Sequence, residues 1–492
     1  IIEKVLHDNV DIDRLLVVTF TNAAASEMRE RVLDALYKKL DEDPENENLQ
    51  RQITLLNKSN ICTIDSFCLD VVRNNFFELE NISPNFRIGD VAEIELLKQE
   101  VIDDIFEQKY ESEDADFADL INTYTSYKDD EPLQKLVLKI YTYIQSSPYP
   151  EKWLHEKVEM FNIKNSLDKD FGKTIWGEVL LQEVKEEVID DLKALYGISK
   201  ELNLDPELEK YSKIVRSDID MLEMLQANLD NWDKAYNIYN NMSYVSWTRS
   251  NVESDLKDYA QKVRTATKEK LKEKLKTILI SDSKEANQDI YDMYKILVKL
   301  EKLILDFDKE FTKRKRNKNI VDFNDIEHMA LKILVKNGNG KIALDEIAKI
   351  EPTEIAKKYQ QKFQEIAIDE YQDSNLVQEY ILTAISNKNN MFMVGDVKQS
   401  IYKFRQAVPQ LFISKYKKYK NKNVQSEKDS LKIQLFKNFR SRDNVLKFTN
   451  LIFENIMSET LGDIDYNEIE FLNYGALDYK ETTQNLKREI AL

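Results

Sequence analysis

Asp369 and Glu370 stand side by side at the end of an apolar run, in Ile366-Ala-Ile-Asp-Glu-Tyr-Gln-Asp-Ser-Asn375. A strand that stops at adjacent carboxylates puts them at the carboxyl edge of a parallel sheet, where open α/β folds bind ligands. In phosphoryl transfer the first such carboxylate holds Mg2+, commonly through water, and the second orients the attacking water and takes its proton. A bare Asp-Glu pair also occurs in surface turns; the Tyr371-Gln372-Asp373 that follows makes the string specific.

Four further stretches carry polar groups at strand ends. In Met391-Phe-Met-Val-Gly-Asp-Val-Lys-Gln-Ser-Ile-Tyr-Lys-Phe-Arg405, Gln399 lies between a strand end and the aromatics Tyr402 and Phe404, with Arg405 next to them. Periodicity alone makes the aromatics core residues; beside cations they are also stacking faces for the bases of single-stranded DNA. Arg440 in Leu435-Phe-Lys-Asn-Phe-Arg-Ser-Arg-Asp-Asn444 follows a strand and precedes a helix that Ser441 is expected to cap. From there a guanidinium reaches across a cleft to a γ-phosphate, or else makes a surface ion pair, with Phe439 in the core. Near the N-terminus, Phe20, Thr21 and Asn22 sit at one strand-to-helix corner, and Thr63-Ile-Asp-Ser-Phe67 repeats the design. Small polar side chains at a helix start contact phosphates, or simply cap the helix.

The elements that hold these residues fall into two textures. From Ile1 to about Asp90, and from about Phe363 onward, short apolar runs alternate with amphipathic stretches, the pattern of a parallel sheet with crossover helices. Strands are expected at Leu15 to Phe20, Ile61 to Ile64, Glu365 to Ile368, Met391 to Val394 and Lys432 to Phe436, and Asn22 is expected to cap a helix from Ala23 to about Leu40. Between them, from about Val91 to Lys358, run long charged heptad-like segments, which predict a helical insertion. The basic run from Lys313 to Asn319 reads as a solvated face.

Composition narrows the classes. With 492 residues the chain has room for two to four domains, and 42% hydrophobic and 33% charged residues with 9 Gly and 8 Pro suit a helix-rich soluble protein. No apolar run approaches the roughly 20 residues of a bilayer span, and no targeting segment opens the chain, so no membrane association and a cytoplasmic location are expected. Cys62 and Cys68 are the only cysteines and the chain has three histidines, so packed, reduced thiols are expected in place of a zinc site. The net charge is −18, yet between Met391 and Asn450 there are 14 Lys and Arg against 4 Asp and Glu. A basic window in an acidic chain marks a local anionic ligand.

Taken in order, the five stretches resemble the motifs of superfamily 1A DNA helicases of the UvrD, Rep and RecB type. TFTNAAASEMRERV resembles motif Ia, TIDSF motif Ic, IDEYQDSN motif II, VGDVKQSIYKFR motif III and NFRSRDNVL motif IV. Within that superfamily, Val397-Lys398, Asp65 in TIDSF and SPNFRIGD at Ser83 to Asp90 look most like the AddA type of ATP-dependent helicase-nuclease. UvrD-type helicases usually carry an acidic residue where Lys398 stands and His where Asp65 stands. The resemblance covers the first 95 and last 140 residues, and the middle loosely. It implies an α/β fold: a RecA-like parallel-sheet motor of the P-loop NTPase class with a large all-helical insertion. Residues 1–95 would be the first part of domain 1A, 96–355 a 1B-type insertion, 356–430 the second part of 1A, and 431–492 the start of domain 2A. ATP and Mg2+ would be the cofactors. Asp369 would hold the metal, Glu370 act as catalytic base, Gln399 sense the γ-phosphate, Phe439 stack on adenine and Arg440 serve as an arginine finger. Phe20, Thr21, Asn22, Thr63, Ser66, Tyr402, Phe404 and Arg405 would line the path of single-stranded DNA, and an AddB-like subunit would complete a heterodimer.

A Walker A loop, GxxxxGK[ST], is expected some 25 to 30 residues before TFTN, where this sequence has only 18 residues before Thr19. Gly172-Lys-Thr174 lacks the glycine five positions earlier and falls in the helical middle. The chain therefore reads as a fragment of a helicase-nuclease of recombinational double-strand break repair, deficient in ATP hydrolysis when isolated. The alternatives are a UvrD/Rep-type repair helicase and a non-catalytic fragment that docks DNA and a partner.

Overall fold

A computed structural model describes residues 1–8, 10–80, 82–125, 129–248, 253–336, 350–387, 389–401, 406–421 and 430–476. The chain divides into two compact units, Ile1–Val101 with Tyr141–Pro150 and Glu310–Leu492, and Ile102–Ile140 with Glu151–Lys309. In chain order, β1 (Leu15–Thr19) leads through α1 (Asn22–Glu42) to β2 (Asn60–Thr63) and α2 (Ile64–Asn74), followed by a short β3 (Arg87–Ile88). A helical stretch includes α3 (Ile175–Leu202), α4 (Glu209–Gln226), α5 (Asp255–Ile278) and α6 (Ser283–Asn317). Then come β4 (Ile320–Val321), α7 (Phe323–Leu334), β5 (Glu365–Ile368), α8 (Leu376–Ile385), β6 (Met391–Met393), α9 (Pro409–Lys418), β7 (Lys437–Asn438), α10 (Asp443–Ile456) and β8 (Asn473–Tyr474).

The first unit is built on a four-stranded parallel sheet in the order β2-β1-β5-β6. The alternation of a strand explains why β1 is apolar throughout. Leu16 and Val18 join a core with Phe67, Val71, Ile326, Ile366, Ile368 and Ile381. Leu15 and Val17 point the other way, into a core with Val32, Leu36, Leu49 and Ile61. Each fully buried Leu or Ile contributes roughly 1.5–3 kcal/mol, so both faces must be covered by helices. β3 and β4 form a separate parallel pair, Arg87 opposite Ile320 and Ile88 opposite Val321, which brings the SPNFRIGD stretch to the segment ahead of α7.

Local chemistry corrects four expectations. Thr21, not Asn22, caps α1: its Oγ1 accepts the Ala24 N–H at 3.1 Å, and the helix already includes Asn22. Arg442 takes the N-cap position of α10 without a side-chain bond, whereas the Ser441 N–H donates to Asn438 Oδ1 at 2.8 Å. The strand expected from Lys432 to Phe436 is a two-residue strand at Leu431–Lys432 followed by β7, because its apolar residues Ile433, Leu435 and Phe436 are exposed and meet no second layer among the described residues. Lys315, expected on a solvated face, is buried between Asp322 and Asp325 at 2.7 Å each and lies over the Phe311 ring. Burial alone would lower its pKa, but the two carboxylates leave it raised.

The second unit is helical in its described residues. In α3 the buried positions Leu181, Val184, Val188, Leu192, Leu195, Ile198 and Leu202 recur every three to four residues, the stripe that packs on α4 and α5. Arg264 of α5 forks onto buried Asp218 of α4 and reaches the Val245 carbonyl at 2.8 Å. Gly172-Lys-Thr174 is a turn with a packing role: Gly172 N–H donates to Asp170 Oδ1 at 3.0 Å, and Thr174 caps α3. Cys62 and Cys68 are free thiols; burial pushes Cys62 up to about 11 and Cys68 also up, so both stay protonated and inert.

Candidate nucleotide and nucleic-acid site

The sheet register sets Thr19 beside Thr63 and Val18 beside Ile368, so β1, β2 and β5 end at one edge and the two N-terminal corners are neighbours. Thr19 Oγ1 donates to the Thr21 carbonyl at 3.0 Å, and Thr63 Oγ1 accepts the Ser66 N–H at 3.3 Å and lies 2.9 Å from Ser66 Oγ. Phe20, Thr21, Asn22, Thr63 and Ser66 line one pocket of about 310 Å³, which Asp65, Leu69, Ile88 and Phe323 complete. Five of the eight residues expected to contact DNA are thus together. Tyr402, Phe404 and Arg405 lie outside the described residues.

Asp369 extends the ladder of β5, its N–H donating to the Val18 carbonyl at 2.9 Å. Its Oδ1 accepts the Glu370 N–H at 3.1 Å. Glu370 adopts φ 49°, a left-handed conformation that costs a non-glycine residue on the order of 1 kcal/mol or more. That bend turns its exposed side chain back along the edge, where Oε2 accepts Gln372 Nε2 at 2.6 Å. Gln372 is buried, and its Oε1 accepts the Asp396 N–H at 3.0 Å. Asp396 Oδ2 in turn accepts Gln399 Nε2 at 3.1 Å. An unbroken chain of hydrogen bonds therefore runs Glu370, Gln372, Asp396, Gln399. Gly395 is needed for it: a Cβ there would lie 2.4 Å from Gln372 Oε1.

Beneath this edge Tyr371 is buried, donating to Glu379 Oε2 at 2.7 Å while Lys415 pairs with Glu379 at 2.7 Å and lies over the Tyr371 ring. Lys398 bridges Asp396 and Glu470 at 2.9 Å each, and Tyr416 donates to Glu470 Oε1 at 2.8 Å. Burial opposes the Lys398 charge, but the two carboxylates keep its pKa raised, so it stays a cation. Shortly after Glu470 the chain forms β8, which pairs with β7 immediately before Phe439. Asn438 Oδ1 accepts the Arg440 N–H at 3.0 Å and shapes this turn. Phe439 is 67% exposed, and its ring edge would meet a Cβ at Gly475 at 2.9 Å.

Among the described residues no three His, Cys, Asp or Glu side chains gather as a metal cage. Asp369 offers one carboxylate at this edge, a hard oxygen donor of the kind Mg2+ takes. The motif strings pointed to Glu370, Gln399 and Phe439; they carried no sign of Glu470, which arrives from a distant segment. Gln372 and Asp396 were inside the quoted strings, but their joining role depends on how two strand ends meet.

A parallel-sheet edge with this string of acids and amides is the α/β class of a UvrD-type helicase domain. The UvrD/REP helicase N-terminal domain family matches over residues 1–206 and 207–420, and the chain belongs to that family. It is 44% identical over 479 residues to the A component of the ATP-dependent helicase/nuclease of Clostridioides difficile (strain 630), covering 95% of this chain and 36% of the relative. The protein of the same name in Acetivibrio thermocellus (strain ATCC 27405) is 41% identical over 508 residues, 100% of this chain and 39% of the relative. In Thermoanaerobacter sp. (strain X514) the figures are 44% over 477 residues, 95% and 37%. The chain thus spans less than two fifths of the length of these relatives. No described helix is long and apolar enough to cross a membrane.

Proposed function

We propose that these residues form the nucleotide- and strand-contacting edge of an ATP-driven DNA translocase, working within a cytoplasmic helicase-nuclease of double-strand break repair beside an AddB-like subunit. Residues 1–95 and 356–430 act as domain 1A, 96–355 as a 1B-type insertion and 431–492 as the start of domain 2A. The single observation that carries the reading is the bonded chain from Glu370 through Gln372 and Asp396 to Gln399. It links the acid that would act on water to the glutamine that would feel the γ-phosphate.

When bound at Asp369, Mg2+ neutralises charge on the phosphates. Glu370 orients the attacking water and accepts its proton. Arg440 offers a guanidinium to the charge that develops on the γ-phosphoryl group, and Phe439 offers an exposed face to adenine. Gln399 reports the state of the phosphate to Asp396 and, through Lys398, to Glu470. The corners at Thr21 and Thr63 contact the strand backbone and Phe20 offers a stacking face; Tyr402, Phe404 and Arg405, outside the described residues, would supply further stacking faces and a cation.

Two measurements test this. The complete enzyme should lose on the order of 10²–10⁴-fold in DNA-stimulated ATP turnover on Glu370→Gln while keeping its affinity for single strands. The 492 residues alone, which contain no GxxxxGK[ST], should bind single strands with negligible turnover. Robust hydrolysis by them that Glu370→Gln abolishes would contradict the assigned deficit, and unchanged turnover of the complete Glu370→Gln enzyme would remove Glu370 as the base.

A further inference from the structure

Both carboxylate oxygens of Glu470 are committed to the motif III side of the molecule: Oε2 accepts Lys398 Nζ at 2.9 Å, and Oε1 accepts the hydroxyl of Tyr416, on α9, at 2.8 Å. Lys398 also holds Asp396 Oδ1 at 2.9 Å, so it ties Glu470 to the residue that accepts Gln399. The Lys398 and Glu470 side chains are only 20% and 16% exposed, so salt screens their attraction little. The segment that carries Glu470 is in turn bonded to both flanks of the Phe439–Arg440 turn. On one flank β8 pairs with β7, and the Gly475 N–H donates to the Asn438 carbonyl at 2.9 Å. On the other, Asn450 of α10 accepts the Leu472 N–H at 3.0 Å and the Tyr466 hydroxyl at 2.6 Å, and donates to the Leu472 carbonyl at 3.2 Å. β7, the turn, α10 and residues 466–475 thus make one bonded frame, and Glu470 fastens it to the acidic edge. Ile433, Leu435 and Phe436 ahead of β7 and Ile469 beside Glu470 are exposed, so apolar burial does little to fix the frame's position. The pair of Lys417 with Glu459 at 3.1 Å joins the same two sides, but both its side chains are exposed and such pairs contribute little.

We propose that Glu470 is a positioning residue for phosphoryl transfer: docked on Lys398 and Tyr416, it holds the frame that carries Phe439 and Arg440 in register with the edge that carries Asp369, Glu370 and Gln399. The inference rests on the nucleotide reading of that edge. Lys398 is shared between Asp396 and Glu470, so a phosphate that draws Gln399 away from Asp396 acts on the same cation that fixes the arginine turn.

Two measurements test the docking and the chemistry separately. In the 492-residue chain, nitroxide labels at Lys358→Cys, on the exposed face of the helix Glu354–Lys362, and at Asn444→Cys on α10 report the frame's position by pulsed electron paramagnetic resonance. Glu470→Ala should broaden the distance distribution about twofold or more, and Glu470→Gln, which keeps one acceptor for two donors, should fall between; a distribution unchanged in Glu470→Ala overturns the proposal. In the complete enzyme, Glu470→Ala should lower the kcat of DNA-stimulated ATP hydrolysis about tenfold, because a displaced catalytic group costs turnover. KM for ATP should rise about two- to threefold, since Phe439 rides on the same frame. Arg440→Ala by itself should lower kcat about 10³-fold, and Glu470→Ala added to it should cost kcat about nothing more while the KM effect persists, because the guanidinium being positioned is gone. A tenfold loss of kcat that persists on top of Arg440→Ala means that Glu470 acts elsewhere and overturns the proposal. Full turnover by Arg440→Ala, with distances that still broaden in Glu470→Ala, overturns the nucleotide reading of the turn and the positioning role with it, while the docking of the frame stands.

Discussion

Two residues with no chemistry of their own set the geometry of the acidic edge. Gln372 has both ends of its amide committed, Nε2 to Glu370 and Oε1 to the Asp396 N–H, so it fixes the spacing between the two strand ends. Gly395 lets it do so, since even a methyl group there would collide with Gln372 Oε1. Gly395→Ala should therefore push Gln372 out of line and uncouple Glu370 from Gln399. In the complete enzyme, DNA-stimulated turnover should drop about tenfold or more with an unchanged circular dichroism spectrum, since misplacing a catalytic group by about 1 Å is enough for such losses. Turnover equal to that of the unaltered enzyme would show that the amide chain is dispensable. Glu370 has the complementary role: its left-handed backbone stores strain at the position where a carboxylate has to turn toward the edge.

Among the elements, capping and buried ion pairs fix ends that hydrophobic burial leaves free to slide. Thr63 closes α2 at the same level as Thr21 closes α1, which is why the two corners open onto one pocket. In the helical unit, α4 and α5 meet through Arg264 and Asp218, both buried and both charged. Truncating one partner leaves the other as an uncompensated charge, so Arg264→Leu should destabilise that unit by about 3–5 kcal/mol, read as a lower denaturant midpoint. Replacing Asp218 by Leu at the same time should recover much of the loss; a single variant as stable as the parent would mean the pair contributes nothing.

Across the whole molecule, an acidic chain gathers a local excess of cations in one stretch. The net charge is −18, yet Met391 to Asn450 holds 14 basic against 4 acidic residues. If that stretch neutralises three or four phosphates, affinity for single strands should weaken tenfold or more between 50 and 200 mM salt, because bound counterions are released on binding. A salt-independent anisotropy titration would mean that the basic window does not meet the backbone.

The strands at Leu15–Thr19, Asn60–Thr63, Glu365–Ile368 and Met391–Met393 were legible because each carries a short apolar run, continuous in Leu15–Thr19, which is buried on both faces, and the motif strings name their own family. The failures have one cause. Which residue caps α1, whether Lys315 meets water or two carboxylates, and whether the apolar run at Ile433 to Phe436 finds a second layer all depend on neighbours far away in sequence. The sequence by itself determined the fold class, the order of the motifs and the identity of the polar residues at each strand end, since these follow from local period and residue type. Only the tertiary structure decided what those residues touch: Gln372 between Glu370 and Asp396, and Lys398 on Glu470. Hydrogen bonds act over about 3 Å, and only the folded chain brings residues dozens of positions apart within that distance.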